Sequence, residues 1–419
     1  MTGIIIGIIA LLGISVWFVS FSLPYPEPKG KFNVGTVLME LEDPSRKEWA
    51  LSEKNQSRKF VVRIWYPANP TGNETMLPIM EKPFSKGIQD LYGFPGGKEK
   101  PSQSYIDAPV CLGDALFPVL IFTHGAGSFM TQNLTSMEEL ASQGFMVISV
   151  SFPYESVAAI FPDGSVVRMK DMEKFKKDMS ILSKNKEFAS LFAKNIEDMK
   201  NPDPNKANAA CITLGKRYLQ LYPDIKIWLE TRMADIEYLI NAFDEIRIQE
   251  YKFSDIADTR NIGLFGHSLG ALTTLKFLME KDIPAVKCGV ALDVPFFNID
   301  STADISLKAP VLFMSSDFIK IADSKVKLKG VNDFLKHYTN KTLYECNVKG
   351  TAHHNFSDMN YLPRFMKFTP MLGSISQKEA AKIMTYYLNV YFKGHLKGED
   401  LNKLKDSISS EVIFREITQ

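Results

Sequence analysis

The sequence predicts an α/β protein with a mostly parallel central sheet flanked by helices. Three observations support this. Short runs that are apolar almost throughout recur along the chain, among them "FPVLIFTHGAG" at 117–127, "FMVISVSFP" at 145–153 and "APVLFMSSD" at 309–317. A strand apolar on both faces is buried on both faces, as parallel strands covered by helices are. Segments of helical length separate these runs, and that alternation is the pattern of α/β architecture. Hydrophobic residues make up 45% of 419, enough for one large core.

The elements follow in order. "KFNVGTVLMELED" and "RKFVVRIWYPANP" read as two strands of an N-terminal hairpin region ending at the Pro67 turn, and 75–115 reads as irregular. The buried strands at 117–127 and 145–153 flank a helix expected from Thr135 to Gln143. Residues 154–215 are lysine-rich and read as amphipathic surface helices and loop, not sheet, inserted over the sheet at about 155–215. A long helix is expected at 222–243, then a strand "NIGLFG" and a helix "SLGALTTLKFLME". Further core strands are expected at 286–294, 309–317 and 341–350, with a final helix over 377–392. No long polar linker divides the body, so residues 30–400 read as one catalytic domain.

The N-terminus differs from the rest. "MTGIIIGIIALLGISVWFVSFSLPYPEP" carries no charged side chain before Glu27, and Ile4 to Leu23 is apolar. At helical rise this stretch reaches across a hydrocarbon core of roughly 30 Å, and Pro24, Pro26 and Pro28 end it. Residues 1–26 are therefore expected to be a hydrophobic helix, either a signal-anchor or a signal peptide cut near Ser20 or Ser22; a buried core helix is the alternative. Either membrane reading makes the body membrane-anchored or secreted, facing away from the cytosol. In an oxidising compartment the four cysteines allow one or two disulfides, and Cys288 reads as a buried free thiol.

Charge excludes one class of function. With 49 basic and 48 acidic residues the chain lacks the basic excess of a nucleic-acid binder. The cysteines are too scattered for a zinc site, and the chemistry below calls for no metal or cofactor.

The chemistry centres on "NIGLFGHSLG", 261–270. Gly266-His267-Ser268-Leu269-Gly270 follows a strand and precedes a helix, the context of a nucleophile elbow. A tight turn lifts the Ser268 hydroxyl above the N-terminus of its own helix, where free N–H groups favour developing negative charge. Serine needs a base. His353 and His354, in "VKGTAHHNFSD" just after a strand, are the candidates. His267 reads as a packing or hydrogen-bonding residue, and His337 and His395 as surface residues. An acid must orient the imidazole. Asp293 and Asp317 both end strands, and position alone slightly favours Asp317; Asp300, Asp304 and Asp323 read as loop carboxylates. For the oxyanion, Leu269 N–H is one donor and Ala126 N–H, in the Gly125-Ala126-Gly127 loop, is the other, with His124 bracing that loop.

These stretches together resemble one family. "FTHGAGSF" at 122–129, "GLFGHSLG" at 263–270, "ALDVPFF" at 291–297, "VKGTAHHNFSD" at 348–358 and, more weakly, "RIWYP" at 63–67 resemble the platelet-activating factor acetylhydrolases of the plasma and intracellular type-II kind. The resemblance covers roughly residues 35–395. It implies an α/β-hydrolase fold and a serine-dependent, calcium-independent phospholipase A2 that cleaves short (acetyl-like) or oxidised sn-2 esters of phospholipids through an acyl-serine. It also implies Ser268, Asp293 and His353 as the catalytic residues, rather than Asp317 or His354, and Ala126 and Leu269 as oxyanion donors. Ala271 stands where family members commonly carry a second glycine, and the lysine-rich stretch after Tyr154 is peculiar to this chain. Such an enzyme would meet a phospholipid or other small ester at a membrane surface, with lysines of 170–199 able to touch anionic headgroups. A general carboxylesterase or short-chain lipase of the same fold, a non-enzymatic binding protein and an amidase are the rival readings.

Overall fold

The computed structural model describes residues 24–418 except 94–98, 114, 296–304, 323 and 362–370. Eleven strands form the main sheet. They are β1 (Asn33–Lys47), β2 (Ser57–Ala68), β3 (Met76–Pro78), β4 (Pro101–Ile106), β5 (Phe117–Thr123), β6 (Met146–Ser151), β7 (Ala257–His267), β8 (Val286–Leu292), β9 (Val311–Ser316), β10 (Leu343–Val348) and β11 (Val412–Ile417), in spatial order β11-β10-β9-β8-β7-β5-β6-β2-β1-β4-β3. The run from β10 to β6 is parallel throughout. The β1/β2 hairpin joins it antiparallel through β2 and β6, and β11 closes the far edge antiparallel to β10. This is a largely parallel sheet flanked by helices, an α/β-hydrolase fold.

The continuous apolar runs are explained by two cores, one on each face. Phe122, Phe265, Val290 and Leu312 project to one face and pack with helices α2 (Leu134–Ser142) and α8 (Gln377–Lys397) through Leu140, Tyr387, Tyr391 and Phe392. Their neighbours Ile121, Leu264, Ala291 and Phe313 project to the other face, toward helices α6 (Asp224–Asn241) and α7 (Leu269–Glu280). Because successive side chains alternate sides, both members of each pair must be apolar.

The parallel run decides where chemistry can sit. Ser268 follows β7, Asp293 follows β8, the 349–353 loop follows β10 and the 124–127 loop follows β5. These loops leave the carboxyl ends of strands that are near neighbours in the sheet, so residues far apart in sequence meet along one rim.

The structure differs from the sequence-based expectation at several places. The 75–115 stretch contains β3, β4 and helix α1 (Lys82–Tyr92), which Gly93 ends at a φ of +74°. Strand β4 reads as polar because its inward residues are Ser102 and Ser104; Ser104 Oγ and Gln103 N–H satisfy Glu138 of α2 at 2.5 and 2.9 Å. The segment after Tyr154 opens with a small hairpin, Ala158–Ile160 with Val166–Arg168, before helices α3 (Met172–Lys184), α4 (Lys186–Asp198) and α5 (Pro204–Leu221). Phe188, Phe192, Ile196, Cys211 and Leu214 from these helices join the same core as the sheet face. Lys174, Lys176, Lys194 and Lys200 form ion pairs with acidic residues of the insertion and of α6.

Three further expectations are corrected. All four cysteines are free, with Cys288 buried as expected, so the chain carries no bridge among them. His395 is half-buried against Tyr391, ring centroids 4.5 Å apart, and burial pushes it down to about 4. The membrane-anchored placement is corrected by one finding: among the described residues no helix is long and apolar enough to cross a membrane. The apolar 4–23 stretch on which that expectation rested lies outside the described residues, as do Asp300, Asp304 and Asp323.

Candidate active site

Ser268 sits at the turn between β7 and α7 with φ +56° and ψ −120°, a sparsely populated conformation for a non-glycine residue that costs about 1–3 kcal/mol. Two contacts hold it there. Ser268 N–H donates to Leu292 C=O of β8 at 3.0 Å, and the start of α7 lies directly on the end of β5. A Cβ on Gly270 would stand 1.9 Å from Thr123 O, and one on Gly266 would stand 2.3 Å from the Gly270 carbonyl carbon. No other residue fits either place, which is the steric reason for the glycine spacing around the serine. Leu269 is the first residue of α7, so its N–H has no partner within the helix and carries the positive end of the helix dipole.

Asp293 lies one residue beyond β8 and is buried. Its backbone N–H donates to Met314 O of β9 at 2.7 Å, and its Oδ1 accepts Ser316 N–H at 2.6 Å. Clamped on two sides by β9, the carboxylate presents Oδ2 across that strand's end to His353, whose Nδ1 donates to it at 2.7 Å. A proton held on Nδ1 leaves the Nε2 lone pair free. The imidazole bonded to Asp293 is His353, not His354, and the carboxylate bonded to that imidazole is Asp293, not Asp317. His354 is pushed down to about 3 by desolvation and by neighbouring His353. Asn355 fixes the loop: its Oδ1 accepts N–H from Ala352 and Gly373 at 2.9 and 2.8 Å.

The loop after β5 lies over the elbow, where a Cβ on Gly125 would stand 3.4 Å from Ser268 Cβ. His124 is buried, and desolvation together with Arg232 pushes it down to about 3, so it is neutral. Its Nδ1–H donates to Gly125 C=O at 2.7 Å and its Nε2 accepts the Ser156 hydroxyl at 2.9 Å. In a trans peptide C=O and N–H point in opposite directions. Tying Gly125 C=O to the His124 ring thus turns Ala126 N–H away from that ring, and among the described residues no group accepts from it.

Two contributors went unnoticed in the sequence. Arg232 of α6 is fully buried, pairs with Glu155, lies 4.5 Å over the Phe152 ring, and donates to His124 C=O at 2.6 Å. Its signal was a charge, with Asp235 the other, on the α6 stripe that also buries Ile225, Trp228, Leu229, Ile236 and Leu239. Gln132 accepts Gly125 N–H through Oε1 at 2.8 Å and contacts His267 Nδ1 through Nε2 at 2.6 Å; no sequence pattern marked it. His267 is buried as expected, and its Nε2 donates to His353 C=O at 3.0 Å.

A half-buried serine on a strained turn, a carboxylate-bound imidazole on the loop after β10 and unengaged N–H groups in the loops around them suit acyl transfer. The family described as platelet-activating factor acetylhydrolase, isoform II, matches residues 19–411. The platelet-activating factor acetylhydrolase of Gallus gallus is 25% identical over 371 residues, covering 84% of this chain and 82% of that protein. That of Cavia porcellus is 25% identical over 309 residues, covering 72% of this chain and 64% of its own length, just under two thirds. A solved ferulic acid esterase from Streptomyces cinnamoneus superposes with a TM-score of 0.65 at 20% identity, covering 93% of this chain and 98% of that one, a likeness of fold. With a match that spans nearly the whole chain, the protein belongs to the platelet-activating factor acetylhydrolase, isoform II, family, and is a carboxylic-ester-hydrolase-type enzyme of α/β-hydrolase fold.

Proposed function

We propose that the chain is a serine esterase acting on carboxylic esters with short acyl groups, as a carboxylesterase or short-chain lipase does. The observation that carries this is the Asp293–His353 hydrogen bond, with the His353 ring centroid 4.6 Å from that of His267, the residue before Ser268. In this reading His353 Nε2 takes the hydroxyl proton as Ser268 Oγ attacks the ester carbonyl carbon. The oxyanion is held by Ala126 and Leu269 N–H groups, and Asp293 stabilises the imidazolium. Collapse breaks the carbon–oxygen bond to the leaving alcohol, which receives the proton from His353. Water then attacks the acyl-serine by the same path, releasing the acid and free Ser268.

A narrower reading within this class has a phospholipid substrate with a short or oxidised sn-2 acyl group, such as platelet-activating factor. The names of the relatives support it. Turnover of a short-chain phospholipid, a long-chain phospholipid and a simple aryl ester separates the two. Preference for the short-chain phospholipid favours the narrower reading, and the aryl ester turned over equally well or better favours a general esterase. Ser268→Ala is expected to lower every rate about 10⁴-fold or more with the fold intact by circular dichroism. Retained hydrolysis in that variant would overturn the proposal.

A further inference from the structure

We infer that Gln132 and His267 form a positioning relay that locks the oxyanion loop and the His353 loop in register over Ser268; this rests on the serine-esterase reading above. The chain of bonds is continuous. Gly125 N–H donates to Gln132 Oε1 at 2.8 Å, Gln132 Nε2 donates to His267 Nδ1 at 2.6 Å, and His267 Nε2 donates to His353 C=O at 3.0 Å. One end sits in the loop after β5, the middle is the residue before the nucleophile, and the other end is the backbone of the residue bonded to Asp293.

The polarity of every link is forced by the two ends. An amide N–H can only donate, so Gln132 must turn its oxygen to Gly125 and its NH₂ to His267. A carbonyl can only accept, so the single proton of His267 must lie on Nε2, leaving Nδ1 to receive the Gln132 amide. The two demands agree, and they agree only while His267 is neutral. Its burial favours that form, and its ring lies 4.6 Å from the His353 ring at an interplanar angle of 36°. The backbone around Gln132 ties the same parts together. Gln132 C=O accepts Asp358 N–H at 3.1 Å, and the next side chain, Asn133, donates to Phe356 C=O at 2.9 Å.

Only a side chain carrying a donor and an acceptor on one planar group can serve at position 132. Leucine offers neither. Glutamate accepts on both sides and would pull the His267 proton to Nδ1, leaving a lone pair facing His353 C=O. Neither Gln132 nor His267 touches the reacting atoms in this scheme. Their effect is on geometry, and misplacement of a catalytic group by about 1 Å can cost about 100-fold in rate.

The test measures kcat and KM for p-nitrophenyl acetate on the full chain. Thermal unfolding of each variant checks that it folds. Gln132→Leu and Gln132→Glu are expected to lose about 10- to 100-fold in kcat with KM changed less than about threefold. His267→Phe should match Gln132→Leu. His267→Gln, whose amide N–H reaches the place of Nε2–H, should keep kcat within about fivefold of wild type. The double variant Gln132→Leu/His267→Phe should be no worse than the poorer single variant, because both break one chain. Turnover within twofold of wild type for folded Gln132→Leu, with Ser268→Ala inactive, overturns the relay and leaves the esterase reading standing. Losses that multiply in the double variant, or His267→Gln as poor as His267→Phe, also overturn it. Should His267→Phe fail to fold, the two Gln132 variants carry the test. Wild-type turnover by Ser268→Ala overturns both readings.

Discussion

His353 Nδ1 donates to Asp293 Oδ2 across 2.7 Å while Asp293 Oδ1 accepts Ser316 N–H across 2.6 Å. The acid is thus held by the strand that separates it from the histidine loop, and the histidine is held by the acid. Asparagine at 293 can satisfy only one of these partners with the correct polarity, and it favours the wrong imidazole tautomer. Asp293→Asn is expected to lower kcat about 10³- to 10⁴-fold. Asp317→Asn is expected to change kcat less than about threefold, because the Asp317 position contributes its backbone carbonyl to Leu328 N–H and stands outside this pair. Steady-state kinetics on one aryl ester checks both, and equal losses would contradict the assignment.

The elbow makes a prediction about stability. A methyl at position 270 would meet Thr123 O at 1.9 Å and His124 O at 2.8 Å, both backbone atoms where β5 leads into the 124–127 loop. Neither can move without shifting β5 or α7. Gly270→Ala is expected to cost about 3 kcal/mol or more, by overpacking against fixed backbone. A fall in the denaturation midpoint, or insoluble expression, would be seen. Full stability would show that the strand end yields.

Stability should also depend on pH through Asp358. This carboxyl lies against the start of α2, where its oxygens accept Thr135 N–H at 2.9 Å and the Thr135 hydroxyl at 2.5 Å. Burial pushes it up to about 7, outweighing those hydrogen bonds. The folded state therefore keeps a proton that the unfolded chain, with an ordinary pKa near 4, gives up. Its contribution to stability is fully present below about pH 4, falls as pH rises between about 4 and 7, and is gone above that, at no more than about 1.4 kcal/mol per pH unit. Asp358→Asn should flatten this segment of the stability profile, measured by denaturant unfolding at pH 4, 5.5 and 7. An unchanged slope would place the titration elsewhere.

Much of the fold was legible because the parallel strands repeat one physical situation. A strand such as 117–123 or 311–316, covered on both faces, must be apolar along most of its length, and that run is visible without any neighbour. Strand β4 was not visible, because Ser102 and Ser104 are buried through hydrogen bonds rather than apolar character. Strand β11 follows the last helix, and its Arg415 pairs with Glu345 and Asp333 across the sheet edge. Its charge reads as surface until those partners are known.

By itself, the sequence determined the serine, its glycines and the order of the loops, because local steric demands fix which residues can form a strand-to-helix turn. Position alone left open which aspartate meets the histidine, since Asp293 and Asp317 stand in the same local setting at the ends of adjacent strands, and the family resemblance pointed to Asp293. Tertiary structure supplies the physical reason for that pairing, by clamping Asp293 to the backbone of β9 and turning its free oxygen to His353. It alone brought Gln132 and Arg232 to the 124–127 loop, for hydrogen bonds between distant segments depend on how the chain is folded and leave no periodic trace in it.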